Sequence, residues 1–261
     1  MEKIKLILSG ACGRLCSVIA ALSVAHDDCR VICGVDISGK AAAFPVYDSF
    51  DKIPDELCRE ADVLIDCSHH TAAFEIVEFI KKNHMPAVIC TTGHTDDEEH
   101  MISVAANTVP ILKSRNMSLG INLLSELVRR AASVLGEDFD IEIVEAHHRN
   151  KLDSPSGTAL MLADAASEAR SEQRIESEYI YERTSRRKPR SSREIGISSV
   201  RGGTIVGEHS VIFAGEDEVI TLSHSAGSRD LFATGAIRAA VFIADKPAGY
   251  YTMADVIRSI Y

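Results

Sequence analysis

Residues 145–159, reading E-A-H-H-R-N-K-L-D-S-P-S-G-T-A, hold the densest set of reactive side chains in this 261-residue chain. Two adjacent histidines, His147 and His148, are followed by Arg149, Lys151 and Asp153, and after Pro155 the run Ser156-Gly157-Thr158 opens a helical pattern. Histidine exchanges a proton near neutral pH, which suits it to general acid or base work. A helix N-terminus presents N–H groups and the positive end of the helix dipole, which favour an anion. Arg149 and Lys151 bring formal positive charge to the same place. The set predicts a pocket for a small carboxylate or phosphate beside a proton donor. A capped, solvated loop would account for a lone histidine or a lone S-G-T, but it accounts poorly for the whole set in one loop.

The elements that must position this loop can be read from its flanks. Residues 139–145 (F-D-I-E-I-V-E) alternate apolar and acidic side chains, the period of a half-buried strand, so His147 and His148 should emerge at its end with side chains on opposite sides. Pro155 keeps the residue before it out of a helix, whereas Leu160, Met161, Ala163 and the alanines beyond favour one. Ser156, Gly157 and Thr158 therefore fall at a helix start.

At the other end of the chain, residues 3–8 (K-I-K-L-I-L) run into Ser9-Gly10-Ala11-Cys12-Gly13-Arg14-Leu15 and a helical pattern through Ala25. Strand, glycine turn and helix in this order open a dinucleotide-binding unit, and Asp36 ends the next strand near the ~20-residue spacing at which an acid meets the adenine ribose. Gly10, Ala11, Cys12, Gly13, Arg14, Leu15 and Asp36 are thus candidate cofactor contacts. Cys16 stands where a third glycine is usual. Strand and helix patterns then alternate: strand at 63–66, helix at 71–83, strand at 87–90, helix at 96–107, strand at 109–112. That alternation implies a parallel sheet covered on both faces. Ligands bind beyond the carboxyl ends of such strands, which makes Asp66-Cys67-Ser68 and Cys90-Thr91-Thr92-Gly93 candidate loops for the nicotinamide side. The break at Ser114-Arg115-Asn116-Met117-Ser118 is read as a domain hinge before a long helix at 119–135.

Residues 170–193 are heavily charged and include Arg183, Arg186, Arg187, Lys188, Arg190 and Arg193. With no aromatics interleaved among the basic residues of 183–193, in an acidic chain, the run is read as a mobile solvated loop in preference to an RNA site. Strands are expected at 195–200, 205–214 and 218–224 in an antiparallel or mixed sheet, with a helix at 228–243 and a short final helix at 249–260. The fold class expected is α/β: an N-terminal Rossmann-type parallel-sheet domain plus an α+β domain with a mostly antiparallel or mixed sheet.

Composition narrows the function classes. Hydrophobic content of 46% and charged content of 25% are ordinary for a globular protein. The formal net charge of −10 disfavours nucleic acid as a partner. No run reaches the ~18 apolar residues of a membrane span, and Met1-Glu2-Lys3-Ile4 shows no leader pattern, so a cytoplasmic protein without membrane partners is expected. The seven cysteines, 12, 16, 29, 33, 58, 67 and 90, form no C-x-x-C pair and stand beside no plausible histidine ligand, so no disulfide framework or metal site is expected.

Taken together, these residues resemble the dihydrodipicolinate reductase family, also described as 4-hydroxy-tetrahydrodipicolinate reductases, of the diaminopimelate route to lysine. The resemblance is carried by the 145–159 block, Gly10-Ala-Cys-Gly13-Arg14, Thr91-Thr92-Gly93, Asn116-Met-Ser-Leu-Gly-Ile-Asn122 and Arg201-Gly-Gly-Thr-Ile-Val-Gly-Glu-His209, which run over most of the chain. It implies NAD(P)H-dependent reduction of a cyclic unsaturated dicarboxylate, with His147 as the acid that protonates carbon, assisted by Lys151. His148, Lys151, Ser156, Gly157 and Thr158 would hold a substrate carboxylate, and Asn116 and Met117 would lie beside the cofactor. It further implies a homotetramer built through the second domain's sheet, and final helices that return to the cofactor domain. The resulting division is a dinucleotide-binding domain of 1–116 and 229–261, and a substrate-binding and oligomerisation domain of 117–228. Cys16 and Met117, where the family usually has glycine and phenylalanine, bear on cofactor affinity. Asp36 predicts a preference for NADH. Lys40 is the nearest cation along the chain and Arg14 is in reach from the turn, so NADPH is expected to bind less well rather than not at all. The competing readings are another Rossmann-type reductase, such as an amino-acid dehydrogenase, and a non-catalytic dinucleotide sensor switched by its cysteines.

Overall fold

The computed structural model describes residues 3–25 and 27–260 and divides into two compact units, Met1–Leu119 with Asp230–Tyr261, and Gly120–Arg229. In chain order the elements are β1 (Ile4–Ser9), α1 (Arg14–Ala25), β2 (Cys29–Val35), β3 (Val46–Tyr47), α2 (Asp55–Glu60), β4 (Val63–Asp66), α3 (Ala73–Lys82), β5 (Ala87–Ile89), α4 (Asp96–Ala105) and β6 (Pro110–Lys113). They continue with α5 (Leu119–Leu135), β7 (Asp140–His147), α6 (Gly157–Glu172), β8 (Glu178–Ile180), β9 (Glu194–Arg201), β10 (Glu208–Ala214), β11 (Val219–Ser225), α7 (Asp230–Ile243), β12 (Gly249–Tyr251) and α8 (Met253–Arg258).

The first unit is built on a seven-stranded sheet of order β12-β6-β5-β4-β1-β2-β3 in which every pairing is parallel. A parallel sheet needs a layer on each face, and the apolar runs of its strands supply both. Leu6, Leu8, Val63, Ile65, Val88 and Leu112 face Cys16 and Ile19 of α1 and the alanine-rich α7. Ile7, Leu64, Ala87, Ile89 and Ile111 face Ile76, Val77 and Ile80 of α3 and Ile102 and Ala105 of α4. Neighbouring residues along one strand thus feed different cores, as the two-residue strand period requires. Thr95 caps α4 with a reciprocal box to Glu98, which fixes the start of that helix.

The second unit has a five-stranded mixed sheet of order β11-β10-β7-β9-β8. Ile141, Ile143, Ile195, Ile197, Val211 and Phe213 pack against Ile121, Leu124 and Val128 of α5 and against Ala159, Leu162, Ala163 and Ala166 of α6. The alanines let α6 lie close to the sheet.

Several expectations are refined or corrected. The second sheet is mixed, as expected; β9 and β10 follow one another in the chain but do not pair, and instead flank β7, parallel to it on one side and antiparallel on the other, so β7 is the centre of the sheet. Residues 249–251, expected in the last helix, form β12 on the edge of the parallel sheet beside β6, and the helix is confined to Met253–Arg258. The third helix starts at Ala73, after a 3-10 turn at His70–Ala72. Residues 181–193 form a mostly exposed loop, in keeping with the solvated reading, but three of its arginines are held to the sheet. Arg183 pairs with Glu142 and Glu194, Arg186 with Glu194, and Arg190 with Asp140 and Glu142, so acids on β7 and β9 hold it down. Arg170, at the head of that run, is fully buried and donates to the carbonyls of Gly136, Phe139 and Ser192. Asp140 and Glu142 lie on β7, far away in sequence, which the composition of the loop could not reveal, whereas Glu194 directly follows Arg193. Among the described residues no helix is long and apolar enough to cross a membrane, no group of side chains could hold a metal ion, and all seven cysteines are free thiols.

Candidate functional site

In the first unit the predicted contacts gather at the carboxyl ends of the central strands. Gly10 has φ +72°, and a Cβ there would stand 2.8 Å from the Cys67 carbonyl oxygen, so only glycine lets the β1–α1 turn lie against the β4 loop. The Gly13 N–H closes that turn on the Gly10 carbonyl at 2.8 Å. Asp36 ends up beside the turn. Its Oδ2 accepts from the Cys12 N–H and its Oδ1 from the Ser38 N–H, both at 2.8 Å. Burial works to raise its pKa, but these hydrogen bonds and the charge of Lys40 hold the carboxyl below its usual range. Arg14 opens α1, Leu15 packs against the core beneath it, and Ala11 is buried.

The β4 and β5 loops meet next to this turn. Ser68 donates from its N–H and its hydroxyl to Oδ1 of Asp66, which is fully buried at the end of β4, and the Cys90 N–H donates to the Asp66 carbonyl. Oδ2 of Asp66 and the hydroxyl of buried Thr91 have no hydrogen-bond partner among the described residues. A turn shaped for backbone approach, an acid at the end of β2 and two buried polar atoms at strand ends fit a dinucleotide. Thr92 and Gly93 are exposed in the loop that follows. Asn116 is half-buried and accepts the Ser118 N–H on its side chain, whereas Met117 is a buried core residue. Cys16 is also fully buried and donates its thiol to the Ser9 carbonyl, so a small side chain is accommodated where glycine is usual.

In the second unit the site grows from one irregularity in β7. Ile141, Ile143, Glu145 and His147 are the buried positions of the strand, while Val144 is exposed. The apolar phase of the strand therefore continues into an acid and a histidine at its carboxyl end. Register places Glu145 opposite His209 of β10 on one side and Ser199 of β9 on the other, and His147 opposite Arg201. Arg201 meets both oxygens of Glu145, Nη1 to Oε2 at 2.8 Å and Nη2 to Oε1 at 2.7 Å. The Ser156 N–H donates to Oε1 at 3.1 Å, and Nδ1 of His147 lies 2.6 Å from Oε2. Burial opposes ionisation of Glu145, yet the hydrogen bonds from Arg201, His147 and Ser199 bring its pKa down to about 2.

Ser156 is the N-cap of α6, its hydroxyl accepting from the Ala159 N–H at 3.2 Å and lying 3.2 Å from Nε2 of His209. Burial, then the neighbouring His147, lower the pKa of His209 to about 4, so this ring is neutral at physiological pH. It stands edge-on to His147 with ring centroids 5.2 Å apart. Lys151 reaches Asp153 at 2.9 Å, and the Asp153 carbonyl accepts from Arg201 at 2.7 Å, which binds the loop to the buried acid. His148 turns away from His147 and meets Arg229 at 3.0 Å. Gly157 and Thr158 form the first turn of α6, with open space beside Gly157 where a side chain would be. The structure thus brings His147 and Ser156 together through Glu145, and it puts His148 with a different partner.

Glu145, Arg201 and His209 were not singled out for a role by sequence reasoning. A signal existed for the first: the alternation of residues 139–145 breaks at Val144-Glu145, leaving a glutamate in an apolar phase two residues before a histidine. Arg201 and His209 delimit a block that carries the family resemblance, but their contacts with Glu145 and Ser156 come from strand register and leave no local signal.

The parallel sheet with its glycine turn and acid-ended second strand defines a Rossmann-type dinucleotide-binding oxidoreductase, and the second unit adds a buried acid–histidine site beside a helix start. Residues 4–117 match the family model described as dihydrodipicolinate reductase, N-terminus, and residues 120–257 match its C-terminus. The chain belongs to the dihydrodipicolinate reductase family. It is 48% identical over 255 residues, 98% of each chain, to the 4-hydroxy-tetrahydrodipicolinate reductase of Caldanaerobacter subterraneus subsp. tengcongensis. It is 41% identical to that of Clostridium botulinum, over 97% of this chain and 98% of the relative. In fold it is similar to the dipicolinate-bound dihydrodipicolinate reductase of Paenisporosarcina sp. TG-14, with a TM-score of 0.77 at 23% identity, covering 96% and 97% of the two chains.

Proposed function

We propose that the protein reduces 4-hydroxy-tetrahydrodipicolinate to tetrahydrodipicolinate with NAD(P)H, taking up one hydride and one proton and releasing one water. The observation that carries the reading is the imidazole of His147, buried at the end of β7 with Nδ1 on an ionised carboxylate, next to the capped start of α6. The residues at the glycine turn, Asp36 and the β4 and β5 loops would hold the cofactor, and the bound nicotinamide supplies the hydride. His147 delivers the proton to the ring carbon beside the one attacked. Lys151 stabilises charge on a substrate carboxylate and in the transition state. Gly157 and Thr158, at the helix start, take a carboxylate together with His148 and Ser156. NADH is the preferred cofactor because Asp36 accepts ribose hydroxyls and repels a 2′-phosphate, with NADPH accepted less well. Exposed Val144, Val200 and Val219 on the sheet face away from α5 and α6 support assembly through that face into a homotetramer, which sedimentation measures.

The sensor reading loses support because burial raises the Cys29 and Cys33 thiols to about 11 and about 12, and Cys16, beside Cys67, is also raised. The amino-acid dehydrogenase reading loses support because dihydrodipicolinate reductase family models match residues 4–117 and 120–257. The deciding experiment is NADH oxidation, followed by absorbance, that depends on the product of dihydrodipicolinate synthase. Folded protein with saturating cofactor and no turnover on that substrate would end the proposal.

A further inference from the structure

Glu145 occupies a position that the pattern of β7 reserves for an apolar side chain, and a carboxylate there is costly to bury unless it is paired and hydrogen-bonded. Its pairing is complete and convergent. The Arg201 guanidinium covers both oxygens, the Ser156 N–H takes one and Nδ1 of His147 takes the other. Arg201 is itself fixed by the carbonyls of Val200 and Asp153, each at 2.7 Å, so the fork cannot swing away from the acid. An apolar pair at positions 145 and 201 would fill the same space at least as stably. What an apolar pair could not do is dictate the state of the imidazole.

An ionised carboxylate only accepts hydrogen bonds, so the nitrogen facing it, Nδ1, must carry a hydrogen. Nε2 is then the nitrogen free to lose and regain a proton. It lies along Gly207, where an added Cβ would stand 3.1 Å from Nε2 and crowd that edge of the ring. His209, neutral and edge-on, adds no positive charge beside it. We infer that Glu145, locked by Arg201, is a positioning residue for His147: it fixes the Nδ1–H tautomer and the ring plane so that Nε2 is the atom that delivers the proton. This rests on the reading of His147 as the acid. It is the part that a buried carboxylate plays toward a catalytic imidazole in general.

The test combines steady-state kinetics with 15N NMR of the imidazoles in the full chain, comparing the native protein with Glu145→Gln, Arg201→Lys and His147→Gln. The native His147, assigned by its loss in His147→Gln, should show a protonated Nδ1 and a bare Nε2 when neutral. Glu145→Gln should mix the two tautomers and lower kcat on the order of 10²-fold with KM within about twofold, since most of what a positioned acid contributes is lost. Arg201→Lys, a point charge in place of a fork, should lie between the two and keeps the test alive if Glu145→Gln does not fold. Native kcat and an unchanged tautomer in either variant overturn the inference, as does a loss that appears only in KM or in melting temperature. If His147→Gln keeps its kcat, the acid reading fails by itself. The tautomer measurement still decides whether Glu145 sets the ring.

Discussion

The glycine turn of the first unit and the acid–histidine row of the second prepare a site by opposite means. At the turn the preparation is done by leaving side chains out. Gly10 sits against Cys67, and Asp36 accepts from the backbone N–H groups of Cys12 and Ser38 as well as from the short Ser38 side chain. On β7 it is done by burying side chains that water would otherwise solvate, and by pairing them with one another and with residues on other strands and loops. A site made of backbone tolerates change around it but no change at its glycines. A site made of buried charge depends on every partner.

The largest effect expected is at His147. His147→Gln should lower kcat by about 10²–10⁴-fold with a small change in KM, because the lost proton transfer belongs to the transition state. A near-normal kcat with a raised KM would move the residue from catalysis to binding and leave the second unit with a binding pocket only.

Next comes the dependence on partners. Arg201→Leu leaves the Glu145 carboxylate buried without its main counter-charge and should cost about 3–5 kcal/mol. Hydrogen exchange on peptides of β7, β9 and β10 reads this locally, and those of β1 and β4 should stay protected. A loss below about 1 kcal/mol would show that the row is solvated in solution, and the contrast between the units would dissolve. The counterpart in the first unit is Gly10→Ala, which forces an L side chain to φ +72° and into the Cys67 carbonyl. It should cost about 1–3 kcal/mol and weaken NADH binding roughly tenfold, measured by titration calorimetry. Unchanged binding would mean that the turn does not carry the cofactor.

The same contrast explains what could be read from the sequence. The parallel sheet was legible because each of its strands and helices announces itself locally: an apolar run, a glycine, a helical stripe. The position of Asp36 beside the turn was legible because its spacing from the turn is set by one β-α-β unit. The hidden parts are those that register creates. β7 as the centre of its sheet, Arg201 beside Glu145 and His209 above Ser156 depend on which strands pair, and nothing within ten residues of Arg201 records that. The strand at 249–251 was hidden for a related reason, since three residues at a sheet edge carry too little pattern to outweigh the helical one that follows. In the basic run, the part that could not be read was that Arg183 and Arg190 reach acids on β7, far away in sequence.

A smaller effect follows from acid. His209 titrates near 6.5 when unfolded and about 4 when folded, so stability that is full above 6.5 is lost as pH falls from there toward 4. Glu145 continues the loss from about 4.5 down toward about 2, because the unfolded carboxyl binds its proton first. Melting temperature should therefore begin to fall below pH 6.5, and His209→Asn, which cannot take up that proton, should flatten the upper part of the decline. If the variant's profile is as steep as the native one between pH 6.5 and 4, burial of His209 is not the cause.

The smallest effect concerns cofactor choice in the first unit. Asp36 would repel a 2′-phosphate, but it lines a cavity of about 280 Å³ that also holds Lys40 and Lys52, with Lys52 paired to Asp48 at 2.7 Å. Both lysines are exposed, so each can offer a 2′-phosphate only a screened charge worth under about 1 kcal/mol at physiological salt. Lys40→Ala should therefore raise the Kd for NADPH by roughly two- to fivefold and leave that for NADH within error, with the difference growing at low ionic strength. Equal effects on both cofactors would place Lys40 at the shared pyrophosphate or adenine. No effect on either would leave Arg14, at the start of α1, as the cation that lets NADPH bind beside Asp36.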